Sequence, residues 1–289
     1  MKIHKCFEQD ISHLESFVER VFTKHEDLQQ NVLLSMQSKL NQGIYSLNAE
    51  NELLVVATVH NSTWHPHVMY VRLAYDLNQI DETLLTFMID FLKREFEKPI
   101  FFLINQRFVG LEKLLLANGF RYIRKTEVIS ILPGKCELAE TYLEIKRVTE
   151  MLNEPELMYS LVELSKSIYE ETHLANPVAE LHFSSWQNAI MDDLISDSSY
   201  VVIDGNRVTA FSFMYHGEEF SWELGWIGVE SVSDLLQLDS LLARQLRDAI
   251  DQRILRIEKE VDSTCPYSLH IAKSLSYDVS ETLYAFIEE

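Results

Sequence analysis

The chain has 289 residues, 47% of them hydrophobic, which is enough for two packed cores of ordinary size. Its formal net charge of −20, from 45 acidic and 25 basic residues, repels phosphate-rich polymers and anionic lipid, so neither nucleic acid nor a membrane is an expected partner. The same field attracts a cationic substrate such as an amine or polyamine, or else serves only to keep the protein soluble.

In chain order the first half reads β-α-β-β-β-α-β-α-β. Residues 2–7 are a short strand, and Leu14, Phe17, Val21 and Phe22 fall at helical spacing. Apolar runs at 44–47 and 53–59 flank Asn48-Ala49-Glu50-Asn51-Glu52, a hairpin signal, and 67–75 is a further strand. Leu84, Leu85, Met88, Phe91, Leu92 and Phe96 make one apolar helical face, Pro99 stops it, and 100–104 is a buried strand. A short helix at 111–117 ends on Asn118-Gly119, and 120–132 closes the half as strands. After Pro133-Gly134-Lys135 the order repeats. A strand at 142–148 precedes helical spacing over 157–169 and 186–194. Strands at 200–203 and 208–215 flank Asp204-Gly205-Asn206-Arg207, and 220–229 is the next strand. Leu242, Leu246, Ile250, Ile254 and Ile257 mark a long amphipathic helix, followed by a strand at 258–261, a helix at 268–275 and a closing strand at 277–287.

The repeat is in register. Leu84-Leu85 to Gly119-Phe120 spans 35 positions, Leu241-Leu242 to Ser276-Tyr277 spans the same 35, and Ile44-Tyr45 corresponds to Val201-Val202. Equal spacing of separate features predicts an internal duplication, with an α/β domain over 1–135 and another over 140–289.

The stretch 98–131, with FFLINQRFVGLEKLLLANGFRYIRKTEVISI, resembles the strand, short helix and "NGF" ending of the GCN5-related N-acetyltransferase (GNAT) superfamily. The second copy, VDSTCPYSLHIAKSLSYDVSETLYAFI, resembles it more loosely, with Ser276-Tyr277 in place of Gly-Phe. The resemblance implies an α/β (α+β) chain of two tandem GNAT-like domains, each a mixed, mostly antiparallel sheet flanked by helices. It implies acyl transfer from acetyl-CoA or another acyl-CoA to an amine. The pantetheine arm would lie in the gap between the fourth and fifth strands and the pyrophosphate on amides at a helix N-terminus. By that resemblance Glu223, in Ser221-Trp222-Glu223-Leu224-Gly225-Trp226, is the candidate general base. It is either partly desolvated between the two tryptophans or solvated on the polar face of the strand. Leu115 and Ala272 stand where the family carries a thiolate-protonating Tyr; Tyr267 and Tyr277 are near enough to substitute, and with Tyr277 read as a core aromatic Tyr267 is the candidate. Ile227, Gly228, Val229, Ser231 and Ser233 are the candidate cofactor-binding residues. Gly225 and Gly228 would allow close approach of the arm, and Ser231 and Ser233 would cap the helix and leave its first amides for an anion.

The family's glycine-bearing phosphate loop is missing from both copies. Its positions hold Ser233-Asp234-Leu235-Leu236-Gln237-Leu238 beside Glu230 and Asp239, and Asp76-Leu77-Asn78-Gln79-Ile80-Asp81 beside Glu82. Side chains and carboxylates there oppose a pyrophosphate, most clearly in the first half. The expected function is therefore an acyl-CoA-dependent N-acetyltransferase with its chemistry in the second half, acting on a small-molecule or protein amine. The alternative is a non-catalytic binding or regulatory protein that has lost the pyrophosphate site.

Cys6, Cys136 and Cys265 show neither a disulfide framework nor a zinc spacing, and the N-terminus reads as charged rather than as a leader, so a cytoplasmic protein with reduced thiols is expected. No metal site is expected: His65-Pro66-His67 lacks a third ligand and reads as a surface loop. Cys265 reads as idle, with no helix N-terminus or basic neighbour evident. Trp64, Trp186, Trp222 and Trp226 read as core and pocket wall, and pairing into a homodimer is left open.

Overall fold

The computed structural model describes residues 1–50, 52–78, 81–136, 138 and 142–289. Asn51 of the first hairpin turn, Gln79 and Ile80 of the first-half loop and Glu140, where the second domain is expected to start, lie outside the described residues. Two compact units form: Met1–Arg124 with Ala175–Ala179 and Leu283–Glu289, and Lys125–Leu174 with Glu180–Thr282.

In the first unit β1 (Lys2–Cys6), β2 (Asn41–Ala49), β3 (Glu52–His60) and β4 (Met69–Ala74) run antiparallel in sequence order, and β5 (Ile100–Asn105) joins β4 in parallel. Helix α1 (Ile11–Val21) buries Leu14, Phe17 and Val18, one stripe at helical period. Helix α2 (Glu26–Gln37) was not expected: its buried Leu28, Val32 and Met36 are diluted by Gln29, Gln30 and Asn31. Helix α3 (Glu82–Glu95) buries Leu85, Met88, Ile89 and Leu92. Helix α4 (Leu111–Ala117) ends where Gly119 takes a φ of 79°, which relieves the last turn. The sequence run expected as strands after it is one strand, β6 (Phe120–Ile131).

The second unit repeats this order. β7 (Glu144–Arg147), β8 (Tyr200–Asp204), β9 (Arg207–His216) and β10 (Ser221–Val229) are antiparallel, and β11 (Arg256–Asp262) pairs with β10 in parallel. The helices are α5 (Val148–Met151), α6 (Pro155–Thr172), α7 (Phe183–Met191), α8 (Leu236–Asp251) and α9 (Pro266–Ser274), with β12 (Tyr277–Glu288) last. The long helix expected to run to Ile257 stops at Asp251, because Arg253 takes a φ of 59° that no α-helix continues. Ile257 keeps the apolar period but lies fully buried on β11. Among the described residues, no helix is long and apolar enough to cross a membrane.

The closing strands are exchanged. Residues 283–287 of β12 pair antiparallel with β5 in the first unit, where Phe286 joins the core. The Ile100 amide donates to the Glu288 carboxylate at 3.0 Å, and Lys93 lies 3.6 Å from it. Residues 126–131 of β6 pair antiparallel with β11 in the second unit, where Ile129 and Ile131 are fully buried. Each sheet is thus finished by the last strand of the other half of the sequence.

Candidate functional site

β10 and β11 pair over only Ser221↔Arg256, Trp222↔Ile257 and Glu223↔Glu258, and then part. On its other side β10 shifts register against β9 between Leu224 and Ile227, so an extra residue bulges at Gly225-Trp226. A Cβ on Gly225 would stand 2.3 Å from the Tyr215 ring, and one on Gly228 2.4 Å from Ile168 and 3.2 Å from Phe211. The space that glycine leaves at both positions is filled by the protein's own side chains, so the close approach expected of a ligand there is an internal packing contact. Ile227, Gly228 and Val229 are all buried.

The parted strands are bridged by Lys259, which was not singled out from the sequence. Its ammonium, on a residue only 8% exposed, donates to the Gly225 carbonyl at 2.8 Å. Burial pushes this ammonium down from the usual lysine range, while Cys265, Glu260, Asp262 and Glu223 work in the opposite sense. Only the strand pairing places Lys259 across the gap.

Glu223 is exposed on β10, directly across from Tyr215, so the partial desolvation considered for it is absent. Its charge, after burial, pushes the Tyr215 phenol up; that hydroxyl donates to the Ile190 carbonyl at 3.2 Å. Trp226 is half-buried, with its ring stacked on the fully buried Trp186 at 5.2 Å and tilted on Tyr169 at 5.2 Å. Tyr169 stacks in turn on His173 at 3.9 Å. The Trp186 indole donates to Ser165 Oγ at 3.0 Å, and the His173 Nδ1 lies 2.8 Å from the Tyr169 carbonyl. Of the four tryptophans read as core and pocket wall, Trp186 and Trp222 are core residues, and Trp64 and Trp226 are half-buried.

Ser231 and Ser233 are exposed and share an Oγ–Oγ hydrogen bond of 2.8 Å. Ser231 caps a 3-10 turn over Val232–Asp234 rather than α8 itself, which starts one residue after Leu235 with no side-chain cap. Two of the nearby carboxylates are engaged: Glu230 by Arg207 at 2.6 Å and Asp239 by His270 at 3.0 Å. In the first unit the corresponding helix start differs. Asp81 Oδ1 accepts from the amides of Thr83 at 2.9 Å and Leu84 at 3.2 Å, so α3 is capped by its own carboxylate and an anion does not fit there. The first unit's strands also part after Val71↔Phe102, and the Arg72 guanidinium donates to the Leu103 carbonyl at 3.2 Å.

Tyr267 is the second residue of α9 and is 5% exposed; burial, then the charges of Glu171 and Cys265, pushes its phenol up. Cys265 is not isolated as expected: it occupies the N-cap of α9 and interacts electrostatically with Lys259. His65-Pro66-His67 lies in a loop with His67 exposed, as expected, while His65 is partly covered. The His65 Nδ1 lies 2.8 Å from the Asn176 carbonyl, and burial lowers its basicity.

No protein-family model and no curated protein matches the sequence. Solved structures do match the fold. A GCN5-related N-acetyltransferase from Sphaerobacter thermophilus superposes with a TM-score of 0.64 at 15% identity, over 100% of this chain and 95% of that one. A tandem GNAT protein from the clavulanic acid biosynthesis pathway gives 0.57 at 8% identity, over 100% and 98% of the two chains. A GNAT-family acetyltransferase from Colwellia psychrerythraea gives 0.54 at 11% identity, over the whole of both. Strand order, the parted parallel pair and these likenesses agree: the chain has the fold of the GCN5-related N-acetyltransferases, twice in tandem.

Proposed function

We propose that this chain is an acyl-CoA-dependent N-acetyltransferase whose chemistry belongs to its second unit. The observation that carries this is the parting of β10 from β11 directly after Glu223, with a bulge on β10 and an α8 N-terminus free of a side-chain cap. The acyl-CoA is a substrate. The backbone of Ile227, Gly228 and Val229, with Ser231 and Ser233, would hold it, and the uncapped amides of α8 suit its pyrophosphate. Glu223, exposed at the end of the paired segment, takes the proton that the attacking amine loses. The C–N bond forms, the C–S bond breaks, and the sulfur keeps the electron pair and gains a proton. Tyr267, buried at the start of α9 with its proton held tightly, is the candidate donor.

A second reading rests on Lys259. Its bond to the Gly225 carbonyl already spans the gap, as Arg72 does in the first unit, which favours a binding protein that keeps the fold without the reaction. Thermal unfolding with acetyl-CoA separates the two. Ligand at about a hundred times its Kd stabilises by about 2.7 kcal/mol, a rise of about 5–10 °C for a unit of this size. Under the transferase reading the rise appears, and Glu223→Gln keeps it while turnover, read as free thiol release, falls by about 100-fold or more. No rise with acetyl-CoA leaves the second reading standing.

A further inference from the structure

We propose that the first unit binds a free α-amino acid with an apolar side chain, as a ligand rather than an acyl acceptor; this holds whether or not the second unit is a transferase. A cavity of about 450 Å³ opens where the end of α1 and the turn after it face the start of β3, the end of β4 and the start of α3. None of its described walls comes from β5 or α4, so it is not the gap where β4 and β5 part. Phe17, Leu53 and Leu85 line its apolar part and belong to the core of the unit. A branched or aromatic side chain leaves water by lying against them.

The polar walls carry opposite charges on different elements. Arg20 and Lys24 come from α1 and the turn after it, and the Arg20 guanidinium lies 5.3 Å from the centre of the Phe17 ring, beside the apolar part. Glu52, Asp76 and Asp81 come from the start of β3, the chain just after β4 and the cap of α3. Asp76 and Asp81 engage only Oδ1, Asp76 with the Asn78 side chain and its amide at 2.9 Å and Asp81 with the α3 amides. Among the described residues, no ion pair joins any of these five charges to another residue. Charges of both signs that face one cavity and leave each other unpaired fit a molecule that carries both. Its carboxylate suits the Arg20 fork and Lys24, and its ammonium suits the acidic wall. A simple anion is repelled by the carboxylates and a simple amine by the two cations.

Tyr75 belongs to the same walls. It is 3% exposed, and its hydroxyl has no hydrogen-bond partner among the described residues. Burial pushes this phenol up, so it keeps its proton and stays a donor. A buried hydroxyl without a partner is costly, and an oxygen of the ligand gives it one. Asp81 closes the amides that an acyl-CoA pyrophosphate would need in this unit, so no acyl group meets the amino acid here.

The test is calorimetric titration of the full chain with L-leucine, and with 4-methylpentanoate and 3-methylbutylamine, which each keep one of its charges. Leucine should bind, and each analogue should bind about tenfold more weakly or worse. Arg20→Gln and Glu52→Gln, both at exposed positions, should each weaken leucine about tenfold. Tyr75→Phe should raise the unfolding midpoint while weakening leucine about fivefold, a pairing that a purely structural hydroxyl does not give. No leucine binding at about 10 mM, an analogue that binds as well as leucine, or unchanged affinity in both charge variants overturns the proposal. Displacement of leucine by acetyl-CoA, or N-acetylleucine formation that Arg20→Gln abolishes, also overturns it, since the cavity would then belong to a transferase site.

Discussion

Gly225→Ala tests whether the glycine at the bulge serves packing or a ligand. The added methyl would stand 2.3 Å from Cε2 and 2.6 Å from Cδ2 of Tyr215, against an ordinary carbon contact of about 3.5–4.0 Å, so the ring must withdraw by more than about 1 Å. Overpacking of this kind costs about 1–3 kcal/mol, and loss of the Tyr215 bond to the Ile190 carbonyl adds about 1. The sum, about 2–4 kcal/mol, corresponds to a fall of about 5–15 °C in the unfolding midpoint of the second unit. Tryptophan fluorescence follows it, since Trp186, Trp222 and Trp226 all lie in that unit. With Tyr215→Ala as background the same methyl meets an empty space, so a double-mutant cycle should return a coupling of about 2–3 kcal/mol. Equal costs of Gly225→Ala in both backgrounds would refute the packing argument. So would a stable Gly225→Ala protein that has lost acetyl-CoA binding.

Three further outcomes are expected. Asp81→Ala removes the cap of α3 and should cost about 1 kcal/mol in urea unfolding, while Asp81→Asn, which keeps an acceptor, should cost a few tenths. His60, beside Ser35 at 3.0 Å, is lowered to about 4 by burial and by Arg72, below its unfolded value of about 6.5. The unfolded chain therefore binds the extra proton between those values. Stability from this group is complete above about 6.5 and falls by on the order of 2 kcal/mol towards pH 4, after allowing for water access, and His60→Gln should flatten that window. Lys259, pushed down by burial, should make the second unit more stable as pH rises towards the unfolded lysine value of about 10.4; Lys259→Met should remove that slope, and parallel pH profiles would contradict it.

Element order and most boundaries were legible because burial follows period. Leu111, Leu114 and Leu115 with Asn118-Gly119 predict α4 to the residue, since face and terminator agree. At Ile250, Ile254 and Ile257 the same logic misled: the spacing persists by coincidence beyond a left-handed Arg253, and a non-glycine residue gives no warning of positive φ. The missed helix α2 has its apolar face interrupted by three consecutive amide residues. At the site, Glu223 and Tyr267 are candidates named from the resemblance, and Asp81 is named only as one carboxylate of a loop; its capping role and the place of Lys259 were not legible. The role of each depends on which strand pairing ends or which amide lies within reach, and neither has a sequence period. The ring contacts among Tyr169, Trp186 and Trp226 join α6, α7 and β10 across nearly 60 positions, so only the fold brings them together.

The exchanged strands bear on the order in which the protein can be made. During synthesis the first unit holds β1 to β5 long before Leu283–Glu289 exists, so the edge of β5 waits open until those residues have been made. An open strand edge is a template for wrong partners, including the same strand of a neighbouring nascent chain. β6, already synthesised, is the nearest competitor for that edge, and its proper place is beside β11, which has not yet emerged. The slow step in folding should therefore be the correct seating of two late-meeting strands, and removing Leu283–Glu289 should damage the unit built from the start of the chain.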